Sequence, residues 1–269
     1  MNRILRRCGI GLGTYRTLRP HSTSRARLAA CAFTPRRLRE AARLTCEFTL
    51  GTVAIDARPE DLFAVDEVFR RNEYGPLLEV IGANRLSPIL DLGANVGCFG
   101  AAVLQRSPLS VVHSFEASTD TYRLLAANCA RNAPLPWMAH HAAVWTHAGE
   151  VSFLSGGTST SRSVSASGAD RVPSVTLADA IAGASATASV ALCKMDIEGA
   201  EQRVLEQALP ILSRVPRLAV EVHPRISDPR RVRGLLASIY ARVVELEGRQ
   251  SSKPIFYATA HAEESGFPW

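Results

Sequence analysis

The sequence predicts an α/β fold, with a mostly parallel sheet, helices on both faces and an antiparallel C-terminal edge. Two observations carry that expectation. From Pro88 onward, short apolar runs alternate with segments of helical periodicity, as strand-crossover-strand units require. The run Ile89-Leu90-Asp91-Leu92 also stops abruptly in Gly93-Ala94-Asn95-Val96-Gly97, an apolar strand ending in a glycine-spaced turn that opens a helix. A carboxylate at the strand end, with glycines that allow close backbone approach, marks a nucleotide-like ligand site on such a sheet. The spacing D-x-G-x-N-x-G is not the G-x-G-x-x-G of dinucleotide binders, and it lacks the Lys-Ser/Thr of a P-loop.

The elements follow in order. Thr45–Leu50 and Thr52–Asp56 alternate polar with apolar residues around Gly51 and predict a hairpin. Asp61–Arg71 is amphipathic and helical, and Tyr74-Gly75-Pro76 breaks it before a second helix, Leu77–Ile81. Strand Ile89–Leu92 leads to helix Val96–Gln105. Strand Val111–Phe115 leads to helix Thr119–Arg131, with Ser118 as its cap. Ala139–Val144 and Val151–Leu154 read as strands, residues 155–171 as a polar Gly/Ser/Thr loop, Val172–Thr176 as a strand and Leu177–Ile181 as a short helix. Val190–Met195, broken only by Lys194, reads as a strand buried on both faces. Helix Ala200–Ala208, strand Leu218–Val222 and helix Arg230–Tyr240 come next. Arg242–Glu247 and Ile255–Thr259 close the sheet as an antiparallel edge pair.

Charge divides the chain unevenly. Residues 1–43 hold eleven arginines and one acid, Glu40, so a net charge of +6 for the whole chain hides a net −4 body. The predicted organisation is a basic arm over residues 1–43, a hairpin and helical cap over 44–87, and the main domain over 88–269. The arm reads as a partly helical extension; weak contact with an anionic surface and a transit peptide are the other readings. It has no apolar core of a secretion signal, and no run of about 18 apolar residues exists to span a membrane. Six scattered cysteines without a C-x-x-C pair predict small core hydrophobes in a reducing compartment, with the cytoplasm as the default.

Ligands of open α/β sheets bind beyond the carboxyl ends of the strands. The polar residues at those ends are Asp91, Asn95, Glu116, Asp196, Glu198 and His223, which should share one rim. Glu116 stands 25 residues beyond Asp91, where a carboxylate can accept both hydroxyls of a ribose. Asp196 and Glu198 fall on one side of an extended backbone by strand alternation. Glu201 reads either as a helix-start acid or as a site residue. A strand-end histidine, His223, can take a proton near neutral pH. A divalent ion on Asp196 and Glu198 would need a clear third ligand, so no metal is expected.

With these residues in view, the chain resembles the FkbM family of S-adenosylmethionine-dependent methyltransferases. The resemblance covers roughly residues 73–223 and rests on Asn72-Glu73-Tyr74-Gly75, Ile89 to Gly97, Phe115-Glu116-Ala117, Ala142-Ala143-Val144, Gly149-Glu150-Val151, Val175-Thr176-Leu177, Lys194 to Glu201, and Glu221-Val222-His223. It implies a Rossmann-like class I methyltransferase fold with seven strands. It also implies O-methylation of a hydroxyl on a small metabolite, sugar, lipid or polyketide. Asp91, Gly93, Asn95, Gly97 and Glu116 are then the cofactor residues for S-adenosylmethionine. Asp196, Glu198 and His223 are the catalytic candidates, in that order as general base.

Three other classes stay open on the sequence, one of them a binding or scaffold protein that keeps the fold without turnover. A nicotinamide-dependent oxidoreductase would share the strand, loop and acidic strand end, but the loop lacks its third glycine. A nucleic-acid methyltransferase is suggested by the basic arm, although the net-negative body and the missing Asn/Asp-Pro-Pro-aromatic run speak against it.

Overall fold

The computed structural model describes residues 12–34, 44–82, 88–154, 163–164, 168–185, 190–246 and 253–262. Helices α1 (Leu12–Leu18) and α2 (Arg25–Phe33) precede the hairpin of β1 (Cys46–Leu50) and β2 (Val53–Ala57). A helical segment follows, made of the 3-10 turn Pro59–Asp61, α3 (Leu62–Val65) and a π turn over Asp66–Arg70; α4 (Gly75–Ile81) comes next. The alternating region then runs β3 (Ile89–Leu92), α5 (Cys98–Arg106), β4 (Val112–Glu116), α6 (Thr119–Arg131) and β5 (Trp137–His141). A second sheet interrupts it with β6 (Ala143–Val144), β7 (Gly149–Leu154), β8 (Ser163–Val164) and β9 (Asp170–Val175). The chain returns through α7 (Leu177–Ala184), β10 (Leu192–Met195), α8 (Glu201–Ala208), β11 (Arg217–Glu221), α9 (Pro229–Ala237), β12 (Arg242–Leu246) and β13 (Ile255–Thr259).

The main sheet has seven strands in the order β12-β13-β11-β10-β3-β4-β5. Strands β11, β10, β3, β4 and β5 pair in parallel, while β13 runs antiparallel to both β11 and β12. The expected antiparallel edge is therefore present, with one difference. Strand β13 inserts inside β12, so only one strand of the pair opposes the rest.

Burial explains why the central strands are continuously apolar. Along β3 and β10 every residue is buried, and alternate side chains enter different cores. Ile89 and Leu192 face the helices α4 and α5 and the hairpin, whereas Leu90, Leu92, Cys193 and Met195 pack with α7 and α8. Each of these large side chains, fully withdrawn from water, contributes about 1.5–3 kcal/mol.

Two local readings need correction. The strand expected over Ala139–Val144 is two strands, because the chain leaves the main sheet at Ala142 and Ala143–Val144 pairs with β9 instead. The polar stretch 155–171 is not wholly loop. Ser163–Val164 pairs with the end of β7, and Asp170 begins β9; residues 155–162 and 165–167 lie outside the described residues.

The basic arm is tied to the body over its described part. Leu18, Leu28 and Cys31 are buried in the same core as the hairpin residues Cys46 and Phe48. The Cys31 and Cys46 thiols face each other at 3.0 Å. Ser22 bridges to Phe48, His21 O accepts from Thr49 N, and Thr23 N donates to Glu47 O. No helix among the described residues is long and apolar enough to cross a membrane.

The outer edge of β2 is held by two asparagines, Asn128 on α6 and Asn132 at its C-cap. Asn132 accepts from Ala54 N and donates to Ala54 O, and Asn128 does the same at Asp56 while also donating to Val96 O. Side chains four residues apart on a helix lie one above the other, so their amides match the spacing of alternate residues on a strand. Asn128→Ala would leave buried backbone groups unpaired at about 1–3 kcal/mol each. A loss of at least about 2 kcal/mol is expected in urea unfolding, with an unchanged denaturant slope; a loss near zero would refute the clamp.

Candidate active site

The C-terminal ends of β3, β4, β10 and β11 converge, and the residues singled out in the sequence lie there. The loop after β3 is shaped first by protein contacts. Gly93 has φ +75°, and a Cβ there would sit 1.7 Å from Asp196 O. Gly97 has φ +94°, and a Cβ would meet the Trp137 ring at 2.5 Å. Both glycines are thus demanded by the left-handed backbone and by neighbours that leave no room for a side chain. Asn95 also takes positive φ, 52°, and its Oδ1 is buried without a hydrogen-bond partner.

Asp91 is fully buried. Ser114 Oγ donates to it at 3.4 Å, Trp137 Nε1 donates to Ser114, and Lys194 Nζ lies 3.3 Å from Asp91 Oδ1. The protein itself thus sets an ammonium beside this carboxylate. Lys194 is the residue that reaches the cavity, donating to Gly93 O at 3.1 Å and lying 3.6 Å from Asp196 Oδ2. Burial pushes the Asp91 carboxyl up, with Lys194 opposing. Burial works against the Lys194 ammonium too, yet Asp91 and Asp196 outweigh it and hold the lysine charged.

At the end of β4, Glu116 bridges the cofactor-type loop to α6. Its Oε2 accepts from Asn95 N at 3.0 Å and its Oε1 from Ser118 N at 2.8 Å. Ser118 occupies the N-cap of α6 as foreseen, but its side chain makes no capping bond. Glu116 accepts from the Ser118 amide instead.

The block after β10 brings Asp196 and Glu198 together by a route other than the one expected. The strand ends at Met195, and Glu198 sits in a left-handed turn with φ 53°. A tight turn, not strand alternation, aims it at the same place. His223 Nε2 lies 3.0 Å from Glu198 Oε2 and 3.7 Å from Asp196 Oδ1. Its Nδ1 meets Glu201 Oε1 at 2.9 Å. Burial opposes a charged imidazole, but Glu198, Glu201 and Asp196 prevail and push His223 up to about 10.

Glu201 serves both of the roles left open for it. Fully buried, it accepts from Ile197 N and Gly199 N at the start of α8, and from Ser227 Oγ, while steadying His223. Sequence reasoning passed over Lys194 and Glu221 as site residues, although each lies at the end of a strand two positions before a chosen residue. That i, i+2 spacing was the available signal. Tyr74 OH donates to Glu221 Oε2 at 3.2 Å and Lys253 Nζ lies 3.2 Å from Glu221 Oε1; Tyr74 precedes the alternating region and Lys253 stands just before β13. Glu67 in the π turn is pushed up to about 9 by burial and then by Glu221, Glu73 and Asp196.

Two cavities open along this rim. One, of about 550 Å³, is lined by Glu67, Tyr74, Asn95, Lys194, Asp196, Glu198, Glu221 and Lys253 among others. The second, of about 420 Å³, is lined by Glu116 and by apolar residues including Phe115, Ala142, Val144 and Ile197. Gly93 is the one lining residue they share. Asp91 and Gly97 line neither.

A sequence-family model, the methyltransferase FkbM domain, matches residues 91–243, more than half of the chain and the stretch from Asp91 through His223. The chain belongs to the FkbM methyltransferase family. No curated protein matches the FkbM chain in sequence. Among solved structures, the METTL16 MTase domain is similar at 14% identity and TM-score 0.55, over 93% of this chain and 90% of that one. That likeness is one of fold, the Rossmann-like class I methyltransferase. Weaker similarities are the bifunctional kinase-methyltransferase WbdD and an O-methyltransferase from Bacillus cereus. WbdD has 12% identity and TM-score 0.46, over 73% of this chain and 40% of that one, so this chain spans less than half of it. The Bacillus cereus enzyme has 14% identity and TM-score 0.42, over 70% and 80%.

Proposed function

We propose that this FkbM domain transfers the methyl group of S-adenosylmethionine to a hydroxyl of a small molecule. The observation that supports it most is the pair of cavities meeting at Gly93. An elongated donor can lie across Gly93, its ribose hydroxyls at Glu116 and its adenine among Phe115, Ala142 and Val144. Its cationic sulfonium end then reaches the carboxylate-rich cavity. Asn95, with its unpartnered Oδ1, is placed to accept from the donor's amino-acid end. Asp91, Gly93 and Gly97 act by shaping the loop and by positioning Lys194.

In the reaction, an acceptor oxygen attacks the methyl carbon as the carbon–sulfur bond breaks, leaving neutral S-adenosylhomocysteine. The hydroxyl proton passes to Asp196 or Glu198, the two carboxylates that line the cavity within reach of His223. His223, flanked by carboxylates on both ring nitrogens, positions them. The site otherwise works by alignment and exclusion of water.

The same reading covers the acceptor and setting. A small hydroxyl compound suits a rim cleft where carboxylates and lysines converge beside apolar side chains. Exposed Arg16, Arg19 and Arg25 grouped near Pro20 support weak contact of the arm with an anionic surface, and the free thiols support a cytoplasmic setting. Calorimetric titration with S-adenosylmethionine should give saturable binding where NAD gives none, and labelled donor should mark a fraction of a metabolite extract. Binding of NAD alone would overturn the proposal.

A further inference from the structure

The cavity that would receive the acceptor carries more carboxylates than cations. Glu67, Asp196, Glu198 and Glu221 line it, against Lys194 and Lys253, and Lys194 is engaged by Asp91 and Gly93 O. Acidic clusters are common without a ligand, so the unsatisfied atoms matter more. His223 is 8% exposed, and its Nε2 is buried with no hydrogen-bond partner, the Glu198 carboxylate beside it lying too far off line to count as one. Asp196 Oδ1, 3.7 Å away, is buried and equally without one. Orphaned polar atoms in a native interior call for an explanation, an unseen ion among them.

We propose that Asp196, Glu221 and His223 form a binding site for one divalent cation that accepts mixed oxygen and nitrogen donors, such as Mn²⁺ or Zn²⁺. One donor atom from each of the three lies within 4.8 Å of the others, so a small inward shift of the side chains brings all three to one ion with bonds of about 2.0–2.2 Å. Two carboxylate oxygens and an imidazole suit Mn²⁺ and Zn²⁺ better than Ca²⁺, which takes oxygen ligands alone. The outer partners are in place: Glu201 holds the far ring nitrogen of His223, and Tyr74 and Lys253 hold Glu221. Such second contacts orient ligands and fix the imidazole tautomer. The ion takes the place of the Nε2 proton.

This third ligand set is what the sequence lacked. Asp196 and Glu198 alone did not make a site, whereas the fold draws Glu221 and His223 to Asp196 from the neighbouring strand. Only the ion's use rests on methyl transfer. There it would bind the acceptor oxygen and favour loss of its proton, leaving Glu198 as the proton acceptor. Binding itself is read without turnover, so the two ideas can fail separately.

The test is titration of EDTA-treated, buffer-exchanged protein with Mn²⁺, followed by paramagnetic resonance, and with Zn²⁺, followed by calorimetry. One ion per chain is expected. Glu221→Gln and His223→Gln, each verified as folded by thermal melting, should weaken it beyond the roughly 10- to 100-fold that losing an outer partner costs a metal site. Glu206→Gln, on the exposed face of α8, should leave it unchanged. Absence of saturable binding of both ions, or equal affinity in folded Glu221→Gln and His223→Gln, would overturn the site.

Discussion

Lys194→Met should cost about 3–5 kcal/mol of folding stability, the range for removing one partner of a buried ion pair. Methionine can fill the space of the lysine stem, so packing is largely kept. What is lost is the charge 3.3 Å from Asp91 Oδ1, on a carboxylate with no exposure to water. The donor to Gly93 O and the ammonium 5.9 Å above the Tyr74 ring vanish with it. The companion variant Lys194→Met/Asp91→Asn removes both charges and should recover much of the loss, because an uncompensated charge is the dominant penalty. Urea unfolding of the two variants measures this. A single substitution costing less than about 1 kcal/mol, within the range of an exposed pair, would show that Asp91 and Lys194 do not act as a buried pair.

The second large effect concerns the methyl donor. Glu116→Gln should weaken S-adenosylmethionine binding roughly 10- to 100-fold, since hydrogen bonds to a charged acceptor are worth about 1.5–3 kcal/mol and each 1.4 kcal/mol is a factor of ten. Glu116 has a second job, receiving the Asn95 and Ser118 amides, so Glu116→Ala would confuse loss of ligand contact with a loosened loop. Glutamine keeps the shape and one acceptor oxygen. Calorimetry on the folded Glu116→Gln protein reads the affinity. An unchanged dissociation constant would remove Glu116 from the ribose contact and leave it a loop-bracing residue.

The parts of the fold that were readable in the sequence are those with strong local boundaries. Strand Ile89–Leu92 and helix Thr119–Arg131 match the structure residue for residue, the first because a glycine turn ends it, the second because its apolar stripe is long. The mostly parallel sheet follows from the alternation of such elements, and its seven strands from the family resemblance. What escaped depends on pairing at a distance. Nothing within Ala139–Val144 announces that Ala143–Val144 pairs with Ser174–Val175. The Arg-rich composition of the arm hid the fact that Leu18, Leu28 and Cys31 enter the core. At the site, the strand-end rule gathered Asp196, Glu198 and His223 correctly at one rim. It could not show that Asp91 is already neutralised by Lys194, nor that Tyr74 and Lys253, separated in sequence by most of the chain, both reach Glu221.

The small hairpin carries a consequence for how the protein behaves at high concentration. A two-stranded ribbon ordinarily offers two rows of unpaired amides to any strand that passes. Here the β1 row is engaged by His21, Ser22 and Thr23, and the β2 row by Asn128 and Asn132. The arm is thus a seam sealer. Cutting away residues 1–43 to ask whether the arginines bind nucleic acid would also unseal β1, and the shortened protein would gain a sticky edge. Self-association of that fragment would imitate a loss of solubility or of binding, so charge-reversing substitutions at Arg16, Arg19 and Arg25 are the cleaner way to question the arm.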